Sequence, residues 1–422
     1  MAYTWKHRAL ESLAADGRRL FLTRFIRLFA YGSLSVILVF YLTGLGLSES
    51  QVGMLLTLTL LGDTVVSLGL TTQADRLGRR KTLMAGAMLM AGAGLVFAST
   101  RNFLLLSVAG IIGVISPSGT EVGPFLSIEQ AALSEVVPAQ MRTEVFAWYT
   151  LTGAIATAAG SLCAGVLTQA LQKRATPLGS ERVIVVLYAL LGLLLAIIFY
   201  HLSSAAEVRR DADDAPPVNT PPVNRMSGIG SARAMVLKLS ALFALDSFGG
   251  GFVVQSFAAY WFYLRFHVNP ATLGGIFFGA NVLAGISALL ASRLASRIGL
   301  VKTMVFTHLP SNVLLFLVPL MPNLQLATLA LLARFSISQM DVPTRQSYTM
   351  AIVRPDERSA AAGITGVART TGAAIAPLFA GMLFARPMLI NLPFLIAGTL
   401  KIGYDLLLYR AFARVAPPEE SR

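Results

Sequence analysis

Long apolar runs broken by short polar turns fill nearly the whole chain, a pattern of membrane-crossing helices. In the first half the runs lie near 22–44, 50–72, 82–99, 102–134, 143–171 and 183–203. In the second half they lie near 234–264, 271–292, 302–321, 324–352, 358–384 and 388–411. Together they predict twelve transmembrane helices. The stretch 204–232 differs: it carries Glu207, Arg209, Arg210, Asp211, Asp213, Asp214 and the pairs Pro216-Pro217 and Pro221-Pro222. Such a composition neither packs nor spans, and predicts a flexible linker. The expected domains are therefore a six-helix bundle over 1–203, a cytoplasmic linker over 204–232 and a second six-helix bundle over 233–422.

The two halves repeat. Arg76, Gly78, Lys81 and Thr82 recur as Arg297, Gly299, Lys302 and Thr303 at one constant displacement. Gly53 recurs as Gly274, and the helix-capping Ser48 as Asn269, at that same displacement. Later, Ala164-Gly165-Val166-Leu167 matches Ala380-Gly381-Met382-Leu383 at a slightly shorter one. Two homologous bundles joined by a polar linker predict an all-α membrane protein with pseudo-symmetric halves, an architecture of transporters.

Composition agrees: 55% of the 422 residues are hydrophobic and 13% charged, whereas soluble domains carry about 25% charged residues. The formal charge of +13 does not point to nucleic acid, because its distribution is one-sided. Outside the spans, only Arg101, Lys173, Arg174, Arg182, Arg265 and Arg386 fall opposite the tails and the linker. That asymmetry predicts cytoplasmic N- and C-termini, with the excess charge facing anionic lipid headgroups. A single cysteine, Cys163, excludes a disulfide framework and a multi-cysteine metal site. The four histidines are scattered over the tail, the span ends and a turn, and add no site; no metal is expected. No phosphate-binding glycine loop, metalloprotease pair or nucleophile elbow occurs, so the sequence offers no enzyme and no cofactor.

The loop Gln73-Ala74-Asp75-Arg76-Leu77-Gly78-Arg79-Arg80-Lys81 resembles the signature loop between spans two and three of the major facilitator superfamily. Asp75, Arg76, Gly78, Arg79 and Arg80 match it, and Thr71 stands where the family has its first glycine. The likeness covers nearly all of the chain. It implies a gating role for these five residues, with the acid capping the cytoplasmic start of span eleven and the arginines within reach of Asp356 and Glu357. It also implies that spans one, four, seven and ten surround a central cavity. Span five has Gly160-Ser161 without the proline that drug/proton antiporters of the superfamily carry, so the chain is only somewhat similar to that subclass.

Ionisable residues within spans are costly unless they face a cavity or a partner. In span ten, Arg334, Ser338, Asp341, Arg345 and Tyr348 follow helical spacing and predict one stripe, with Pro343 kinking it. The run Ser116 to Pro124 in span four is too rich in glycine and proline for a regular helix. Glu121 and Glu129 in that span have no cation near them in sequence; each either carries a proton or pairs with Arg27 or Arg345. Arg27 and Tyr31 share a face of span one, where Arg27 lines the cavity or snorkels to the surface. Asp246 lies in span seven, just before Gly249-Gly250-Gly251. Asp63 in span two and Arg369 in span eleven lie at similar depth, about 18–20 Å in from the loop; the family resemblance implies that these spans are neighbours across the domain interface, and together the two predict an interdomain ion-pair latch. Lys401 and Asp405 look like a local pair within span twelve.

These residues predict a secondary transporter working by alternating access, expected as a monomer in the inner membrane. Its partners are a small-molecule substrate, a proton and the lipid bilayer, and not nucleic acid. Proton-coupled export of an organic solute or drug is the leading reading. Proton-coupled uptake of an organic anion or other metabolite is one alternative, and a non-transporting receptor or lipid-handling protein is the other.

Overall fold

The computed structural model describes residues 15–137, 141–203, 206–207, 233–353 and 357–412, with the side chains of Asp75, Thr143 and Ser359 left aside. Among the described residues there is no β-strand. Ten segments of the described residues are long and apolar enough to cross a bilayer. The first part of the chain forms α1 (Ala15–Gly44), α2 (Glu49–Leu77), α3 (Arg79–Ser99), α4 (Phe103–Ile112), α5 (Phe125–Val136), α6 (Arg142–Gln172) and α7 (Pro177–Tyr200). The second part forms α8 (Arg233–Gly251), α9 (Gln255–Phe266), α10 (Pro270–Ile298), α11 (Leu300–Leu317), α12 (Leu324–Ser338), α13 (Asp341–Ala351), α14 (Arg358–Phe384) and α15 (Leu392–Phe412).

Helix starts follow the side chains written there. Ser48 and Gln51 form a reciprocal capping box at α2, with Gln51 N donating to Ser48 Oγ at 3.3 Å and Ser48 N to Gln51 Oε1 at 2.9 Å. The repeat-related Asn269 accepts from Thr272 N at 2.8 Å at the start of α10. Between α2 and α3 the chain turns on one residue, Gly78, at φ +98°, a left-handed conformation that favours glycine.

Three predicted spans are interrupted, each for a local reason. Span four is irregular between α4 and α5, where Gly119 and Gly123 take φ of +68° and +79° beside Pro117 and Pro124. Span seven is interrupted between Gly251 and Gln255, after the glycine triplet. Span ten is two helices rather than the continuous stripe expected from its spacing. It breaks at Gln339-Met340, since Pro343 lacks an N–H for the Gln339 carbonyl and its ring clashes there.

The chain forms two compact units. The first gathers α1 to α7, α9, α10 up to Gly285 and α14 from Pro377. The second gathers α8, α10 from Ile286, α11 to α13, α14 up to Ala376, and α15. Within the first unit, glycines permit two backbone contacts that mirror each other. A Cβ on Gly53 would lie 2.4 Å from Pro377 O and 2.8 Å from Gly381 Cα, and one on Gly165 would lie 2.4 Å from Pro270 O and 2.8 Å from Gly274 Cα. Gly53 repeats as Gly274 and Gly165 as Gly381, so the internal repeat places α2 on α14 as it places α6 on α10. Close approach of small residues is what packs helices in lipid, where apolar side chains gain little from leaving the solvent. In the second unit Leu239, Phe243, Met304, Tyr348, Tyr404 and Leu408 form an apolar core.

Candidate functional site

Two buried charge clusters stand out, one in each unit. In the first, α1 carries Arg24 and Arg27 one turn apart, facing Glu121 from the irregular stretch and Glu129 from α5. Arg27 is fully buried and binds Glu129 with both nitrogens, Nη1 to Oε1 and Nη2 to Oε2, each at 2.7 Å. It also reaches Glu121 Oε1 at 3.1 Å, while Arg24 Nη1 binds that same oxygen at 2.5 Å. Thr23 Oγ1 donates to Glu129 at 2.9 Å and Tyr149 donates a further short hydrogen bond. Arg27 is therefore no snorkelling residue, and both glutamates are held by arginines, the alternative to a free proton carrier. Tyr31 is buried one turn further along α1 and donates to Val122 O at 3.4 Å. Sequence reading missed Arg24 and Tyr149; the spacing Arg24-x-x-Arg27 was the available sign.

Asp63 is engaged close by. It accepts the Gly123 N–H at 2.6 Å and the Ser67 hydroxyl at 3.3 Å, so the left-handed Gly123 presents its amide to a carboxylate from α2. Among the described residues Arg369 makes no ion pair within its own unit, and its Nε is buried without a partner.

The second cluster centres on Asp246 in α8. Lys401 Nζ lies 2.5 Å from Asp246 Oδ1, and Arg345 Nη1 lies 3.1 Å from Oδ2. Arg345 also sits 3.3 Å from Asp341, the helical pair expected from their spacing. His308 in α11 lies between two acids, with Nδ1 2.9 Å from Asp405 Oδ1 and Nε2 3.7 Å from Asp246 Oδ1. Asn312 donates to Asp405 Oδ2 at 2.8 Å. Lys401 and Asp405 are thus not the local pair that their spacing suggests: one reaches α8 and the other α11. His308, read as adding no site, sits at the centre. Nothing in the sequence marks it, because its partners lie in other helices.

Ligand atoms of Asp246, His308 and Asp341 lie within 4.8 Å of one another, a spacing that a cation could bridge. Lys401 and Arg345 already occupy both oxygens of Asp246, so a divalent ion there would have to displace two fixed cations. The chemistry is that of an ion-pair network. Arg334 stacks on Phe335 at 4.8 Å and makes no ion pair with a described residue of its unit; its Nε, like those of Arg345 and Arg369, is buried without a partner.

At the signature loop, Arg79 N and Arg80 N donate to Glu207 at 2.7 and 3.0 Å. A carboxylate thus caps the start of α3, where free N–H groups and the helix dipole favour negative charge. Arg79 Nη1 lies 3.6 Å from Glu135, and Arg80 lies over the Tyr200 ring at 5.9 Å. Arg76 is exposed. The side chain of Asp75, and Asp356 at the expected start of span eleven, lie outside the described residues. Glu207 was missed because it begins a stretch whose composition reads as linker.

A model of the Major Facilitator Superfamily matches residues 20–377. The chain is 32% identical over 424 residues to the uncharacterized membrane protein YJR124C of Saccharomyces cerevisiae, covering 95% of this chain and 94% of that one. The crystal structure of nucleoside transporter NupG is similar with a TM-score of 0.71 at 13% identity, covering 94% of this chain and 99% of that chain. That of a D-xylose-proton symporter has a TM-score of 0.71 at 15% identity, covering 96% and 99%. A bacterial homolog of the human lysosomal transporter Spinster, in an inward-facing and unoccupied conformation, gives 0.67 at 16% identity, covering 94% and 95%. At such identities these three likenesses are ones of fold. Matched family, multi-pass helices and fold agree on a membrane transporter and not an enzyme. The chain belongs to the Major Facilitator Superfamily.

Proposed function

We propose that this protein is a proton-coupled secondary transporter that exports a small organic solute by alternating access. The observation that carries the reading is the cluster around Asp246. Its contacting groups are three acids (Asp246, Asp341 and Asp405), two fixed cations (Arg345 and Lys401) and one imidazole, His308. Imidazole is the only one of these side-chain types whose ordinary titration falls between about pH 5 and 8. With His308 doubly protonated, both ring N–H groups face a carboxylate. With His308 neutral, one of those two carboxylates loses its N–H donor, an unmade bond that a buried, low-dielectric site penalises. Loss of the proton therefore favours rearrangement of the ion pairs that join α8, α11, α13 and α15. Export follows the partial similarity of the sequence to drug/proton antiporters of the superfamily.

One observation favours proton-coupled uptake of an organic anion instead: Arg334 and Arg369 hold positive charge without an acid partner among the described residues of their unit. The test is flux in reconstituted vesicles at an imposed pH gradient, after a stability screen for ligands, since a compound that binds only the folded protein raises its melting temperature. Solute accumulation against the proton gradient in the antiport sense supports export, and co-movement of an anion with protons supports uptake. Ligand stabilisation without flux leaves a receptor or lipid-handling protein.

The Asp63–Arg369 latch belongs to the same proposal. Charge reversal at either residue is expected to cut flux by about tenfold or more, and exchange of the two charges to recover most of it. An exchange variant as inactive as the single reversals removes the latch.

A further inference from the structure

Glu181 in α7 is a carboxylate of the first unit whose burial no bonding explains. It is 8% exposed, and no hydrogen bond or ion pair joins it among the described residues. A buried carboxylate in that state costs several kcal/mol by transfer arguments, and neither charge cluster uses it. It opens instead on a cavity of about 330 Å³, inside the first unit towards the Gly44 end of α1. Phe40 and Tyr263 also line this cavity, with their rings edge to face at 5.3 Å. Gln172 and Asn269 add amides, and His267 adds an imidazole at a left-handed turn of φ +51°. The rest of the wall is largely aliphatic, from α1 and α10.

We infer that this cavity is a binding site for a monovalent organic cation with an apolar body, distinct from the two charge clusters. A quaternary ammonium is attracted by aromatic faces and by a carboxylate, and carries no N–H that would demand a hydrogen-bond partner. Glu181 supplies the charge, Phe40 and Tyr263 supply the aromatic surface, and the aliphatic wall takes the apolar body. The lining comes from α1, α6 and α7 on one side and from α9, α10 and their connecting turn on the other, so both halves of the sequence hold the ligand. On the alternating-access reading above, an occupied cavity keeps this end of the bundle shut; binding itself does not depend on that reading.

The experiment uses the purified full-length chain in detergent, with no gradient and no substrate. Benzyltrimethylammonium is titrated by calorimetry beside neopentylbenzene, its uncharged carbon isostere. The expected result is saturable binding of the cation at least about tenfold tighter than the isostere, and a drop of about tenfold in the cation's affinity in Glu181→Gln. Equal affinity for cation and isostere, or no binding of the cation, overturns the inference. That comparison needs only the unsubstituted protein, so it decides the matter even where the variant folds poorly. Cation affinity unchanged in a folded Glu181→Gln overturns it as well. Neither result bears on proton-coupled flux, whose failure would show only in vesicles.

Discussion

Asp246→Asn is expected to abolish gradient-driven flux and to destabilise the protein by about 3–5 kcal/mol, the usual cost of removing one partner from a buried ion pair. Asp246 accepts from Lys401 at 2.5 Å and from Arg345 at 3.1 Å, with His308 at 3.7 Å, and all four residues are buried. Asparagine keeps the shape and one acceptor but strands Lys401 in a dry interior and leaves Arg345 with Asp341 alone. The double variant Asp246→Asn, Lys401→Met separates structure from mechanism. It removes the stranded cation and leaves Arg345 paired with Asp341 at 3.3 Å. Melting temperature should recover much of the way, because apolar replacement of a buried pair is often close to neutral. Flux should not recover, since the carboxylate that exchanges partners is gone. Wild-type flux in either variant would remove Asp246 from the coupling mechanism.

How much of this was legible in the sequence depends on the distance along the chain between interacting groups. Interactions within a helix turn were readable: the cap at Ser48, the Asp341–Arg345 pair and the break around Pro117 to Pro124. The repeat was readable as well, and its glycines proved to be contact points, Gly53 on Gly381 and Gly165 on Gly274. Partners chosen by packing were not. His308, Lys401 and Asp405 reach Asp246 or one another only because α8, α11 and α15 pack together. Spacing even misdirected at Lys401 and Asp405, where an i,i+4 pair was expected and each side chain found another helix. Glu207 escaped for a different reason: composition averages over a segment, and one residue at its edge can be structural. For Arg27, sequence left cavity and snorkelling open, and the position of Glu129 on α5 removes the snorkelling reading.

Arg27→Met should be the most destabilising single change in the first unit. It deprives Glu129 of two hydrogen bonds of 2.7 Å in a place where both side chains are fully buried. Glu121 loses less, since Arg24 still holds it at 2.5 Å. The expected loss is again about 3–5 kcal/mol, read as a large fall in melting temperature or failure to purify. Adding Glu129→Gln should restore about 2 kcal/mol or more, because glutamine is neutral, its oxygen still accepts from one of the Thr23 and Tyr149 hydroxyls, and its amide NH2 donates to the other. Transport by this double variant then separates the two roles open to Glu129. If the first cluster is a neutral scaffold and the proton is carried around Asp246, a refolded double variant keeps proton-driven flux. If it folds and binds ligand but no longer couples to the gradient, Glu129 itself carries the proton, and the coupling site lies in the first unit instead of the second.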